Sequence, residues 1–326
     1  MKHSGIAHSK VRTRPDGNPG WLNAPVSRGR YESNYLRAVD PARPRGAWIR
    51  RTTHQRPGEE PTGALWCTIW DAEAGPPYAV KQSFAAPAED RGWAGRAEAQ
   101  GRSAAWELEP AGEEPPLRHL PRAWMYRAAL PRTKLESPRP DAVFTGWVDA
   151  GDRRTEVVGW RGMTGHNWGS EHAERWVWLH AVGFEEAPGA WLDLALGRVR
   201  VGRVVTPWIG NGALTVDGRR HRLGGLRRRV RVDARVGELE AVVPGGGVEV
   251  HVAVSAPAGQ TVAFEYSDPG GETHNALNCS IAEVRLRVER PGRPVLELAT
   301  AHGGAYELGL PATEAHGVTV EPFPDP

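Results

Sequence analysis

Lysine is scarce in this chain: only Lys2, Lys10, Lys81 and Lys134 occur among 41 basic residues, and the rest are arginine. Thirty-nine acidic residues leave a formal charge of +2, too small for a global field that gathers nucleic acid. The densest basic run, 226–232, mixes arginine with apolar residues and is expected to be the wet face of a strand rather than a phosphate patch. Cysteine is scarcer still. Cys67 and Cys279 lie far apart, which excludes a disulfide framework. Cys67 sits in the apolar run Leu65-Trp66-Cys67-Thr68-Ile69 and reads as a small buried hydrophobe. No stretch approaches the ~18 consecutive apolar residues that span a bilayer. The first twenty residues lack the apolar core of a signal peptide. Residues 1–20 are therefore expected to be a disordered tail and the compartment to be the cytoplasm.

Familiar catalytic signatures are missing as well. There is no G-x-S-x-G elbow, no G-x-x-x-x-G-K-[ST] phosphate loop and no strand-to-helix G-x-G-x-x-G. Fourteen tryptophans are present, but they do not interleave with basic residues as nucleic-acid stacking platforms do. Nucleic acid is not an expected partner. Long helices have no room either: 39 glycines and 28 prolines punctuate the whole chain. The nearest approach to a helix is 93–109, interrupted at Gly101.

What the chain does have is period-two alternation. Val248, Val250, Val252 and Val254 fill the even positions of one segment, Ala282, Val284, Leu286 and Val288 those of another, and Leu192, Leu194 and Leu196 repeat the pattern. Further strands are expected at 47–53, 64–71, 78–84, 123–130 and 142–149, with Pro-rich loops at 56–61, 110–121 and 131–140. Turn signals such as Asp217-Gly218 and Asp268-Pro269-Gly270-Gly271 follow closely. So many short strands at close spacing define an all-β chain built as barrels or sandwiches. A domain boundary is expected near Thr206-Pro207, where an aromatic block gives way to a more regular strand series.

That block, Gly165 to His180, concentrates the polar and aromatic chemistry. Read as a strand from Arg175 to Phe184, it carries Trp176, Trp178 and His180 on one face and Val177 and Leu179 on the other. Both faces are apolar, so the strand is expected to be covered on both sides. One reading makes it an aromatic cavity wall with an imidazole; another makes it packing, with His180 a hydrogen-bonded core residue. Glycine-framed His166-Asn167-Trp168 offers a proton carrier near neutral pH, or side chains that cap a turn. His166, Glu171, His172 and Glu174 match neither H-E-x-x-H nor a His/Cys finger, so no metal is expected. Glu171, His172 and Glu174 read more simply as a polar hairpin tip.

Gly165-His166-Asn167-Trp168-Gly169, followed by Trp176-Val177-Trp178-Leu179-His180, resembles the lipocalin-like superfamily of carotenoid 1,2-hydratases (hydroxyneurosporene synthases) and AttH-type proteins. More distantly it is similar to tocopherol cyclases and fungal lipocalin-like Diels–Alderases. Tyr31-Glu32-Ser33, Trp48-Ile49-Arg50 and Tyr266-Ser267-Asp268-Pro269-Gly270-Gly271 support the resemblance, which is scattered over residues 21–290. It implies two tandem lipocalin-like antiparallel β-barrels with few short helices, one over 21–205 and the other over 206–326. It implies a cofactor-independent hydratase, cyclase or isomerase acting on a large apolar, isoprenoid- or polyketide-like metabolite in the N-terminal barrel. The alternative is a non-catalytic carrier of a hydrophobic small molecule. On this resemblance His166 is the general acid/base and Asn167 its orienter. Trp168, Trp176, Trp178 and His180 line the cavity, with Glu32, Trp147 and Tyr126 as further ligand contacts. The hydratases carry Asp before His-Asn-Trp where this chain has Gly165, so the acid would have to come from Glu171, Glu174 or Glu32.

Overall fold

The computed structural model describes residues 26–324; the expected tail at 1–20 lies outside them. The first sheet comprises β1 (Arg30–Val39), β2 (Arg45–Gln55), β3 (Thr62–Asp71), β4 (Tyr78–Phe84), β5 (Ala94–Ala99), β6 (Arg102–Ala111), the short β7 (Leu117–Arg118), β8 (Thr133–Ala150) and β9 (Arg153–Gly169). Its antiparallel order β4-β3-β2-β1-β9-β8-β6-β5 curls into a nearly closed barrel. Side chains bridge the seam where the ladder stops. Gln82 Oε1 accepts from the Glu98 amide at 2.9 Å, and the Tyr78 hydroxyl donates to the Ser103 carbonyl at 3.1 Å.

The second sheet begins with β10 (Arg175–Val182) and β11 (Trp191–Arg198). A small ribbon, β12 (Arg200–Val201) with β13 (Val204–Val205), stands apart from it. There follow β14 (Ile209–Val216), β15 (Arg219–Gly224), β16 (Arg231–Arg235), β17 (Glu238–Pro244), β18 (Glu249–Ser255), β19 (Val262–Ser267), β20 (Thr273–Glu289) and β21 (Leu296–Pro311). Its order is β15-β14-β11-β10-β21-β20-β18-β17-β16, with β19 on β20, and it forms a half-barrel. The architecture is all-β, and among the described residues no helix is long and apolar enough to cross a membrane.

Alternation explains most of these strands. Val250, Val252, Val254, Val284, Leu286 and Val288 are all buried, while their neighbours are half-buried or exposed. Residues 93–109 are not helical: Gln100 and Gly101 take φ of 53° and 73° and turn the chain between β5 and β6, the left-handed pair that a tight hairpin needs. Residues 123–130 are no strand; a single 3-10 turn, Ala123–Tyr126, buries Met125 instead. Leu226–Arg229 belong to a connection, and β16 starts only at Arg231. The change of sheet comes at 170–174, because β10 hydrogen-bonds with β21 and β11 with β14. The tryptophan-rich strand apolar on both faces thus opens the second sheet.

The two sheets share one continuous hydrophobic core. Trp48 and Trp66 of the barrel reach Phe264 of β19, with ring centroids 6.1 and 5.1 Å apart. Trp70, fully buried, donates its Nε1–H to the Gln260 carbonyl at 2.8 Å. Arg37 of β1 donates to the carbonyls of Gly303 (3.0 Å) and Ser280 (2.9 Å) and lies 3.3 Å from His180 Nδ1. His180 Nε2 lies 2.9 Å from the Pro140 carbonyl. That carbonyl can only accept and the guanidinium can only donate, so His180 is the neutral Nε2–H tautomer. Burial first, then Arg37, lowers its pKa to about 3. His180 is therefore a buried, hydrogen-bonded core histidine.

A pH dependence follows, and its sign is fixed. The unfolded imidazole takes up a proton below ~6.5 and the folded one does not until about 3, so stability falls as pH drops through that window. Denaturant unfolding at pH 7 and pH 5 is expected to show wild type losing on the order of 1–2 kcal/mol more than His180→Gln.

Candidate functional site

A cavity of about 430 Å³ opens between the two sheets. β1 and β2 contribute Ser33, Tyr35, Trp48 and Arg50, and β9 contributes Asn167. The 170–174 crossing contributes His172, β10 contributes Trp176 and Trp178, β19 contributes Tyr266 and β21 contributes Glu307. Segments from 119–135 and 199–209 roof it. Four of the eight exposed large apolar side chains among the described residues, Trp124, Leu130, Val201 and Leu226, belong to this lining. Such a mouth admits an apolar molecule without first desolvating a polar rim.

The strand period separates the residues the sequence placed together. Asn167 lines the cavity, and its Oδ1 is buried without a hydrogen-bond partner. His166, one residue earlier, points to the opposite face of β9. There its Nε2 lies 2.7 Å from Glu32 Oε1 and its Nδ1 3.3 Å from Glu136 Oε1, with the ring stacked on Trp168 at 4.4 Å. Asn167 does not orient His166. Trp168, Tyr126, Arg118 and Glu136 line a separate cavity of about 290 Å³ on that outer face. Trp147 stands outside both, packed under Arg154 at 4.4 Å while the next residue, Val148, takes the core position. Glu171 is occupied by Arg132 and Glu174 by Arg200. Trp176 and Trp178 line the large cavity.

Gly165 has a steric explanation. A Cβ built there would lie 2.1 Å from Tyr35 Cζ, across the β1–β9 pairing that opposes the two residues. Tyr35 in turn lines the cavity and meets Trp178 edge-on at 5.4 Å. The position of the hydratases' Asp is filled by a phenol ring, whose pKa burial pushes well above its ordinary value. Gly165→Asp is expected to destabilise the fold by at least ~2–3 kcal/mol through overpacking and a buried carboxyl, read as a lower midpoint in denaturant.

The acid/base geometry of the large cavity centres on His172, which the sequence reading took for part of a hairpin tip. Asp268 Oδ1 accepts from the His172 backbone N–H at 2.9 Å and lies 2.5 Å from its Nδ1. Burial pushes the Asp268 carboxyl up, but the imidazole and its amide outweigh this and hold it below the usual carboxylate value. An ionised Asp268 fixes the proton on Nδ1. His172 Nε2 is left buried with no partner, while the ring is clamped between Tyr31 (4.3 Å) and Trp176 (5.4 Å). A proton-accepting nitrogen, oriented by a carboxylate and lodged in an apolar cavity, is an arrangement suited to general acid/base chemistry. A second carboxylate, Glu307, accepts from Trp176 Nε1 (2.8 Å), Tyr266 OH (3.3 Å) and Asn278 Nδ2 (3.3 Å). Trp176 fits only because its neighbour is Gly309, whose Cβ would fall 2.1 Å from the indole.

The overall architecture is shared with CghA, a fold-level likeness. CghA solved with Sch210972 superposes with a TM-score of 0.57 at 13% identity over 89% of this chain and 90% of its own. A second CghA structure gives 0.53 at 11% identity over 88% and 90%. The AttH-type protein NE1406 of Nitrosomonas europaea reaches 0.46 at 14% identity, over 94% and 98%, too loose a superposition to build on. No family model matches the sequence. The uncharacterized protein Rv0493c of Mycobacterium tuberculosis H37Rv is 30% identical over 331 residues, 97% of this chain and 96% of its own. MT0513 of strain CDC 1551 gives the same figures. The chain belongs to the family of these mycobacterial proteins.

Proposed function

We propose that the protein is a cofactor-independent enzyme that hydrates, cyclises or isomerises a large apolar metabolite in the cavity between its two sheets. The observation that carries this reading is His172: its Nε2 is buried and unpartnered, its Nδ1 is held by Asp268, and the residue lines an apolar cavity. An unsatisfied buried nitrogen costs stability, and a binding module gains nothing from keeping one. Here it is placed to take a proton from carbon or oxygen of the ligand and return it elsewhere. Tryptophan and tyrosine faces around it, Trp176, Trp178 and Tyr266, can stabilise developing positive charge. CghA, of the same fold, was solved with a small molecule, Sch210972, which supports placing a ligand in such a scaffold. In this reading the general acid/base is His172, while His166 braces the outer face with Glu32 and Glu136.

The test is an incubation of wild type and His172→Asn with a lipophilic cell extract in D2O, followed by mass spectrometry. Wild type is expected to convert one component into an isomer of unchanged skeleton mass or into its hydrate, with deuterium at carbon; His172→Asn is expected not to. Equal conversion by both variants defeats the reading. A component that wild type binds and returns unchanged would make the protein a carrier, the reading that the apolar lining alone favours.

A further inference from the structure

Among the described residues Arg50 is the one arginine or lysine in the cavity lining, and it is 4% exposed. Buried guanidinium groups are ordinarily met by a carboxylate, because an unpaired charge away from water is costly. Among the described residues Arg50 forms no ion pair. Its Nε donates to Ser33 Oγ at 2.6 Å, and its Nη1 is buried with no hydrogen-bond partner at all. The only other compensation comes from ring faces. The guanidinium carbon stands 4.1 Å from the centroid of Tyr266, 5.1 Å from Trp66 and 5.8 Å from Trp48. Cation–π contacts position an arginine, but they leave its fork of N–H donors unspent.

The cavity's own carboxylate does not use that fork. Glu307 is engaged by Trp176, Tyr266 and Asn278, and it forms no ion pair with Arg50. Tyr266 neighbours both Arg50 and His172: it carries the guanidinium against its face and stands 5.7 Å, centroid to centroid, from His172. The polar part of the lining thus offers one unspent cation and one unspent base next to the same tyrosine, and the exposed part offers Trp124, Leu130, Val201 and Leu226.

We propose that the ligand of this cavity is an apolar molecule bearing one carboxylate, which Arg50 binds at the inner end while the apolar body extends to the mouth. This rests on the cavity being the ligand site, as proposed above. Arg50 then supplies orientation: a carboxylate fixed on its fork sets which carbon of the chain lies against His172. The planar two-oxygen group matches the two-donor geometry that lysine cannot offer.

The probe is cis-parinaric acid, a fluorescent polyene carboxylate, compared with its methyl ester by fluorescence titration of the full-length protein below the probes' micellar concentrations. Wild type is expected to bind the acid at least about tenfold more tightly than the ester, and Arg50→Met is expected to weaken the acid by that factor and leave the ester unchanged. The wild-type preference is a test in its own right, should Arg50→Met fold poorly. Arg50→Lys, which keeps the charge without the fork, is expected to fall between. Equal binding of acid and ester by wild type overturns the carboxylate assignment while leaving the apolar site standing, as does a preference that survives in Arg50→Met. Binding of neither probe overturns both this inference and the proposed site.

Discussion

Asp268→Asn is expected to lower turnover by ~10³–10⁴-fold while leaving the fold and the cavity in place. The carboxylate does two things that an amide cannot do together. It accepts from the His172 backbone N–H and from Nδ1 through the same oxygen, at 2.9 and 2.5 Å, and its charge stabilises the imidazolium formed when Nε2 takes a proton. An asparagine can keep both bonds with its oxygen but brings no charge; turned the other way, its NH2 opposes the His172 backbone N–H and moves the ring proton to Nε2, which blanks the accepting lone pair. The magnitude is that of carboxylate-to-amide changes in other carboxylate–histidine pairs. The substitution is nearly isosteric, so the midpoint of unfolding is expected to shift far less than the rate. A rate within a few-fold of wild type would mean that His172 is not the proton carrier. A rate loss matched by a comparable loss of structure would assign Asp268 a bracing role.

The second large effect is on stability. Trp70→Ala is expected to cost about 3–5 kcal/mol, and the protein is expected still to unfold in one transition. Trp70 is fully buried and its Nε1–H ends on the Gln260 carbonyl, on the far side of the sheet junction. Truncation leaves a large void and orphans that carbonyl. Trp70→Phe keeps most of the ring and loses the hydrogen bond, with an expected cost of ~1–2 kcal/mol. Because the hydrophobic core runs unbroken through both sheets, loss at the junction weakens both together. Two separated transitions in calorimetry would show instead that the barrel and the half-barrel fold independently.

The fold was readable where alternation is local. Val250, Val252 and Val254, or Leu192, Leu194 and Leu196, announce buried faces because side chains on a strand alternate regardless of what covers them. The sheet boundary was not readable. It depends on which strand β10 pairs with, and its partner β21 lies more than a hundred residues away. The site shows the same division. Trp176 and Trp178 were found through the aromatic pattern. The pairing of His172 with Asp268, 96 residues apart, leaves no trace in spacing, although Asp268 sits in a segment that carries the resemblance. The same period-two rule that locates the strands turns His166 and Asn167, being consecutive, to opposite faces. Gly165 looked like a missing acid. The structure makes it the space that Tyr35 occupies, and in the proposed function the acid/base role falls instead on His172, paired with Asp268.

The placement of the site between the sheets, rather than at His166, is tested most directly by measuring turnover of His172→Asn and His166→Ala side by side on the substrate found in the extract. His172→Asn is expected to lose at least ~10²-fold, the usual contribution of a general acid/base. His166→Ala is expected to stay within about threefold of wild type, with a lowered unfolding midpoint because Glu32 and Glu136 lose the imidazole between them. The opposite pattern, with His166→Ala inactive and His172→Asn near wild type, would move the chemistry to the outer face of β9 and contradict the account.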